Sequence, residues 1–475
     1  MGDGAMETAQ NSEMTGNDSK MKGSKLILID LASAAMDELI KMAEPDSHLW
    51  IKSPESGNEV LNHNEYERTC SPFNTPKLNG FVTEATRETV LLCTNAAALV
   101  EAFLDADRWA EIFPCMIVEA ETLEVLSYGI DGTRNGFMQL MHAEIQLPTP
   151  LVSIREYSFI RYCKQHAEGK WAVLDVSIDF DRNGPNRNPN MSCKRLPSGC
   201  IMEDMPDGLS KITWVDHSQY DESAFHQTCR QLVNSGFAFG AHRWVATLQR
   251  HCEALAISQS AKRSMTKLAQ RMSDYFWSGV CPSSASKWDI LHISNDNMRI
   301  MSQKILDASG ENPSIVLSAA TSVWMPVSRQ RVFDFLRDAQ MRGEWDVLCN
   351  GGSMEEMIHI AKGEEIGNSV SILRADNAAG NKLYLQDSWT DSSDGGDSLF
   401  IPLLPSGFSI LPDGHSSDGS SSGSDNDNGG CLLTVGLQMV LTSLGSSKLT
   451  TESVDTVNDL IACTIQKVKD ALGVV

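Results

Sequence analysis

The sequence predicts an α+β protein built as two related domains in tandem, each an antiparallel sheet closed by a long C-terminal helix. Three observations predict it. A strand-to-helix unit recurs: Val90-Leu91-Leu92-Cys93 leads into an amphipathic run around Phe103, and Val323-Trp324-Met325 leads into a like run around Phe335, 232 positions after Phe103. Trp109 follows the first run and Trp345 the second, and a period of this size marks duplicated domains rather than a solenoid of small units. Between 117 and 220 the chain alternates apolar and polar residues in short segments punctuated by Gly, Asn and Pro, as antiparallel strands do. Each half then ends on apolar residues spaced by three or four, the mark of a helix with one buried stripe.

In chain order, residues 1–25 are polar and expected to be disordered, and 26–42 place Leu31, Ala35, Met36 and Leu39 at helical spacing. Residues 45–86 are polar, with Ser71-Pro72 and Thr75-Pro76 turns, and read as a long connection. Strands are expected at 117–126, 135–146, 153–165, 171–180, 199–205 and 211–220. Phe225, Cys229, Val233, Phe237, Ala241, Trp244, Leu248, Cys252 and Leu255 then form one stripe and predict one continuous helix. Gly236 and Gly240 interrupt it, at a cost of roughly 1 kcal/mol each relative to Ala, which points to a bend or a close approach. A helical linker at 262–277 leads to the second copy, with strands at 369–374, 382–386 and 431–441. Its closing helix carries Val454, Val457, Ile461, Ile465, Val468 and Leu472, with Glu452 favouring the helix dipole at its start. The Ser/Gly/Asp-rich 412–430 reads as a solvated loop. The expected domains are thus 26–258 and 285–475, joined by 259–284.

The 475 residues with 41% hydrophobic content can build two cores. The net charge of -23, from 39 basic and 62 acidic residues, repels phosphate polymers and anionic bilayers, so autonomous nucleic-acid binding is not expected. No apolar run approaches the ~20 residues of a membrane span. The start of the chain has no apolar signal core, and Met6 stands where a myristoylation motif wants Ser or Thr. Twelve cysteines show no CxxC spacing; Cys163 with His166 and His226 with Cys229 lie in different segments, so the cysteines read as reduced core thiols. Gly419-Ser420-Ser421-Ser422-Gly423 matches a nucleophile-elbow pattern but lacks the flanking strand and helix. Asp425, Asp427 and Gly429 lack the Glu of a calcium loop. No catalytic residue, metal site or cofactor is expected.

Residues 105–115 (Asp-Ala-Asp-Arg-Trp-Ala-Glu-Ile-Phe-Pro-Cys), 132–136, 161–169, 196–200 and 243–250 resemble the START lipid-binding domain of plant class IV homeodomain-leucine zipper transcription factors. Residues 318–324, Gly343-Glu344-Trp345-Asp346 and Leu404-Pro405-Ser406-Gly407-Phe408 resemble the START-associated C-terminal domain of the same factors. The similarity runs from Leu26 to the end. It implies a helix-grip fold, a lipid or sterol-like ligand, related transcription factors as partners, and a nuclear setting, with the cytoplasm as alternative. Before Leu26 there is neither a basic recognition helix nor leucine heptads, so the DNA-reading function is not transferred. Between Asp387 and Leu403 the second domain is shorter than the family pattern, so it is expected to lack strands and to have an open sheet edge.

Two-residue alternation puts Arg155, Tyr157, Phe159, Arg161 and Cys163 on one face of a strand, though parity alone leaves open which face is inside. If it is the inner face, Arg161 needs a partner, since an unpaired buried charge is strongly unfavourable. By the resemblance, Glu144 on the neighbouring strand is that partner. Tyr157, Phe159, Phe237, Ala241, Trp244 and Leu248 are the other candidate ligand-lining residues, although an apolar helical stripe is more often simply core. The loop with Pro148, Thr149, Pro150 and Leu151 resembles the gate between ligand chamber and solvent; the bland alternative is an ordinary stiff loop. The expected function is a non-enzymatic lipid or sterol-binding regulatory module. The alternatives are a protein-interaction module with a filled core that associates with full-length relatives and, more weakly, an enzyme on the same chamber.

Overall fold

In the computed structural model, the structure describes residues 26–45, 47–52, 59–70, 81–130, 132–178, 193–221, 225–255, 260–284, 288–291, 298–306, 313–347, 353–363, 367–376, 382–388, 405–414, 429–441 and 451–474. The expected disordered start and most of the low-complexity loop lie outside them.

The first domain opens with helix α1 (26–43), strands β1 (Trp50–Lys52) and β2 (Glu59–Leu61), and helix α2 (His63–Thr69). Strand β3 (Phe81–Leu92) then feeds α3 (Ala96–Leu104) and α4 (Ala106–Ile112). Asn95 and Asp105 cap these two helices, accepting from the backbone N–H groups of Ala98 at 3.2 Å and Arg108 at 3.1 Å. Strands β4 (Ile117–Tyr128), β5 (Phe137–Ile145), β6 (Arg155–Ala167), β7 (Lys170–Ser177), β8 (Cys193–Arg195), β9 (Ser198–Asp204) and β10 (Ser210–Asp221) complete an eight-stranded sheet. Its order is β3-β10-β9-β7-β6-β5-β4, every pairing is antiparallel, and β8 joins β10 beyond the end of β9.

Alternation along each strand gives the sheet two apolar faces. The outer face buries Ile160, Leu174, Val176 and Val215 against Ala32, Met36 and Leu39 of α1 and Tyr66 of α2. The 45–86 stretch expected as a mere connection is therefore part of the cover of this face and contains the start of β3. Its sequence lacks a long periodic run, so the short elements there are set by docking onto the sheet. The inner face buries Phe159, Cys163 and Trp214 against helix α6 (Ala241–Leu255).

The predicted single closing helix is two: α5 (Gln227–Asn234) and α6, separated by turns at 235–240. Gly236 takes φ +80°, a conformation that L side chains rarely adopt, and a Cβ there would come within 2.7 Å of the Thr86 methyl on β3. Thr86 Oγ1 accepts from the backbone N–H of Ala241 at 2.8 Å and so helps set where α6 starts. The two glycines mark a break between helices and a close approach to Thr86 of β3.

Helix α7 (Ser260–Val280) leads to the second domain: β11 (Asp289–Leu291), β12 (Met298–Leu306), β13 (Pro313–Met325), α8 (Arg329–Arg337), α9 (Arg342–Trp345), β14 (Ser353–Ala361), β15 (Ser369–Asp376), β16 (Lys382–Ser388), β17 (Gly407–Pro412), β18 (Cys431–Leu441) and α10 (Thr451–Leu472). The strand, two helices, meander and closing helix repeat the first domain's wiring. The sheet does not: it stands as a five-stranded piece, β11-β12-β13-β18-β17, and a three-stranded piece, β14-β15-β16. Among the described residues no strand joins β16 to β17, and 389–404, where the shortfall was expected, lie outside them. Val457, Ile461, Val468 and Leu472 of α10 bury against β13 and β18.

Helix α7 bridges the two pieces. Gln438 Nε2 on β18 donates to the Tyr275 carbonyl at 2.7 Å, and Ser318 Oγ on β13 donates to the Gly279 carbonyl at 2.7 Å. Toward the other piece, Ser273 Oγ donates to Asp387 Oδ2 at 3.0 Å, and Ala269 packs with Ile360 and Val370.

Candidate functional site

Antiparallel pairing decides what meets what on the inner face. Strands β6 and β7 fold about the Glu168-Gly169 turn, where Gly169 has φ +69°, and this register sets Asp175 directly across from Arg161. The pair is bidentate: Arg161 Nε donates to Asp175 Oδ1 at 2.7 Å and Nη2 to Oδ2 at 2.8 Å. Arg161 Nη1 donates to the Phe103 carbonyl, and the guanidinium lies 3.9 Å from the Trp109 ring centroid. Arg195 on β8 continues the chain, donating to Asp175 at 3.1 Å and to Asp216 on β10 at 3.3 Å. Two cations and two carboxylates, all buried, thus alternate across the face, and burial pushes the Asp216 carboxyl up from its usual range. Removing one member would leave a buried charge uncompensated, which makes the set a structural unit.

Apolar residues fill the middle of the same face. Trp244 of α6 stacks between Trp214 at 5.1 Å and Trp109 at 6.1 Å, with Phe113 edge-on at 4.9 Å. Tyr157, Phe159, Ala241 and Leu248 are buried in this cluster.

Two of the expected site residues lie elsewhere. Glu144 is not the partner of Arg161. It stands opposite Glu156 on β6 and Glu119 on β4, on the face of β5 that looks away from α6, and its carboxylate accepts from the backbone N–H of Ser284 at 3.0 and 3.3 Å. The reason is parity: Met141, Ala143 and Ile145 take the inner face, so an even-numbered neighbour cannot. Phe237 is 36% exposed and rests edge-on against His242, because it falls in the turns and not on α6. Sequence reading missed Asp175, Arg195 and Asp216. For Asp175 the hairpin about Glu168-Gly169 was only a partial signal, since Asp175 lies six residues from the turn and Arg161 seven, and a register shift at Gln165/Ala167 brings them opposite; Arg195 and Asp216 come together only through the sheet order.

The expected gate loop is covered. Leu147, Pro148 and Thr149 are buried, and Pro150 and Leu151 half-buried. Thr149 Oγ1 and Ser322 Oγ of β13 share a hydrogen bond at 2.8 Å, and Ser322 bonds Thr434 of β18 at 2.7 Å. Cys281 Sγ donates to the Leu147 carbonyl at 3.2 Å, and Arg299 Nη2 to that of Pro150 at 3.1 Å. The loop is the floor on which the second domain sits.

Of the motifs weighed for metal binding, His226 caps α5, its ring accepting from the Thr228 N–H at 3.3 Å, and Cys163 is buried on the inner face with its thiol pushed up to about 12 by burial. Among the described residues no group of three or more potential metal ligands forms, and no helix is long and apolar enough to cross a membrane.

A family model described as the START domain matches residues 30–254, and one described as the PDF2-like C-terminal domain matches 258–474. The chain is 48% identical to the homeobox-leucine zipper protein HDG1 of Arabidopsis thaliana, over 94% of this chain and 60% of that protein. It is 44% identical to HDG7 of the same plant, over 95% of this chain and 68% of that one. The homeobox-leucine zipper protein ROC8 of Oryza sativa subsp. japonica is 40% identical, over 94% and 70%. The chain thus spans about 60% of the length of the first relatives it matches. Among solved structures, human StAR-related lipid transfer protein 5 aligns over 48% of this chain and 96% of its own, at 13% identity and TM-score 0.32. This chain belongs to the class IV homeobox-leucine zipper family, of which it carries the START domain and the PDF2-like C-terminal domain.

Proposed function

We propose that the first domain is a non-enzymatic binding module for a lipid or sterol-like molecule and that the second domain reads its occupancy. One observation carries this: the 147–151 loop, whose Leu147 and Leu151 pack with the inner-face core, is held by Cys281, Arg299 and Ser322, residues of α7's end, β12 and β13. Any ligand that shifts this loop must shift the second domain with it. A ligand bound only by the native state also stabilises it by mass action. In a transcription factor relative, such a shift would alter the surface offered to partners, in the nucleus. Arg161, Asp175, Arg195 and Asp216 are committed to one another, which supports a structural role for these four over a catalytic one.

A second reading has its own support. The Trp109–Trp244–Trp214 stack fills the middle of the inner face, as a protein-interaction module with a solid core would. Mass spectrometry separates the two: the intact native mass of the purified protein is compared with its organic extract, for the natural chain and for Arg161→Ala. A stoichiometric lipid in the natural chain supports the binding module, and its loss in Arg161→Ala places that arginine at the ligand. A stable, lipid-free protein that still associates with full-length relatives would favour the interaction module.

A further inference from the structure

Four of the buried arginines around the inner face have acceptors. Arg161 and Arg195 have carboxylates, Arg243 donates to the carbonyls of Ala238 and Cys115 at 3.0 Å each, and Arg250 Nε donates to that of Ala246 at 3.0 Å. Arg155, at the start of β6, does not. It is 2% exposed, yet Nε, Nη1 and Nη2 have no hydrogen-bond partner among the described residues. Rings surround the guanidinium: Phe239 at 3.7 Å, Tyr220 at 4.3 Å and Phe225 at 5.4 Å from their centroids. Cation–π contact offsets only part of the cost of burying the charge, and it satisfies none of the in-plane N–H groups.

Arg155 lines a small crevice with Ser153, Ile154, Cys193, Tyr220, Asp221 and Phe225. Behind it on β3 stands Glu84, paired in register with Ser218. Neither carboxyl oxygen of Glu84 bonds to Arg155, and the nearby Tyr220 hydroxyl donates to Asn234 Oδ1 at 3.2 Å. Ser218 Oγ likewise lacks a partner. The crevice therefore sets an apolar wall of Ile154 and Phe225 beside a buried cation with open donors, the two chemistries that an amphiphile combines.

We propose that Arg155 receives the carboxylate of an amphipathic ligand, with the ligand's apolar part against Ile154 and Phe225. A planar, singly charged carboxylate matches the guanidinium fork. A phosphate dianion fits worse, because Glu84 and Asp221 already set acid beside the single cation. The site deepens the lipid-binding reading above and depends on it.

The test is isothermal titration of the full 475-residue protein with octanoate, octanol and octyl phosphate at pH 8, using Arg155→Gln and, as a surface control, Arg134→Gln. The natural chain and the control bind octanoate about tenfold more tightly than octanol, and Arg155→Gln brings the two within about twofold. Octyl phosphate binds more weakly than octanoate. Equal binding of octanoate and octanol by the natural chain, a preference that survives in Arg155→Gln, or tighter binding of the phosphate would overturn the carboxylate site and leave lipid binding standing. No binding of any probe, together with a lipid-free organic extract, would remove the lipid-binding reading itself. If Arg155→Gln does not fold, carboxyl-labelled octanoate on the natural chain decides by NMR. A bound carboxyl that stays ionised well below the pH at which the free acid titrates supports the site, and one that titrates with the free acid overturns it.

Discussion

The two domains share one wiring and differ in how their sheets hold together. In the first, seven strands run in unbroken antiparallel order, four buried charges tie β6, β7, β8 and β10 to one another, and a three-Trp stack packs α6 on the sheet. In the second, the described strands stand in two pieces, the core under α10 is mainly aliphatic, and α7 packs on both pieces. The contrast shows that the strand-to-helix unit and the closing helix suffice to define the topology, while sheet continuity is a separate property that a helix from outside the repeat can replace. It also explains why α7 belongs to both halves: Phe276, Trp277 and Val280 lie in the same apolar cluster as the first domain's core.

The largest expected effect breaks the first domain alone. Trp244→Ala removes the central ring of the stack and should cost ~3–5 kcal/mol; differential scanning calorimetry should show the first domain's transition falling. A single transition falling as a unit would mean the domains unfold together.

Next is Glu84→Gln. Burial raises the Glu84 carboxyl from 4.5 to about 7, so the folded chain holds this proton where the unfolded chain has lost it. Between pH 4.5 and 7 that group makes stability fall as pH rises, and above about 7 the whole penalty is present. Glu84→Gln should therefore gain more stability at pH 8 than at pH 5, by an upper bound of roughly 3 kcal/mol at ~1.4 kcal/mol per pKa unit. Equal gains at both pH values, measured by urea denaturation, would show that Glu84 is ionised in the fold.

Gly279→Ala probes the bridge. A Cβ there would come within 2.2 Å of Gln438 Nε2 and 2.6 Å of Ser318 Oγ, so these side chains must give up their bonds to the Tyr275 and Gly279 carbonyls or α7 must lift. The cost should be ~1–3 kcal/mol and confined to the second domain, with faster hydrogen exchange in β14–β16 as the sign that α7 couples the pieces. Thr149→Val is the mildest, at about 1 kcal/mol for one lost hydrogen bond. Exchange at 147–151 should quicken while α6 stays protected; unchanged exchange would mean the loop is held by packing rather than by Ser322.

Much of this was legible in the chain. Periodicity alone locates α1, β4–β7, β10, α7, β18 and α10 to within a few residues, because each has a long stripe or alternation that burial rewards locally. Others were not: β1, β2, α2, β12, β14 and β17 carry weak periodicity and owe their form to what they dock on. The candidate site divides the same way. That Arg155, Tyr157, Phe159 and Arg161 share a face follows from a two-residue repeat. Which face, which acid meets Arg161, and that Phe237 turns outward depend on sheet order and on the break at Gly236.

The sequence by itself determined the duplication, the α+β class and the composition of each core, since these rest on residue type and spacing within a segment. Only the tertiary structure decided the Asp175 and Asp216 pairings, the surroundings of the Arg155 guanidinium and the burial of the 147–151 loop under its neighbour. Those depend on strands far apart in the chain meeting in a given order and register, and no local interaction encodes that order.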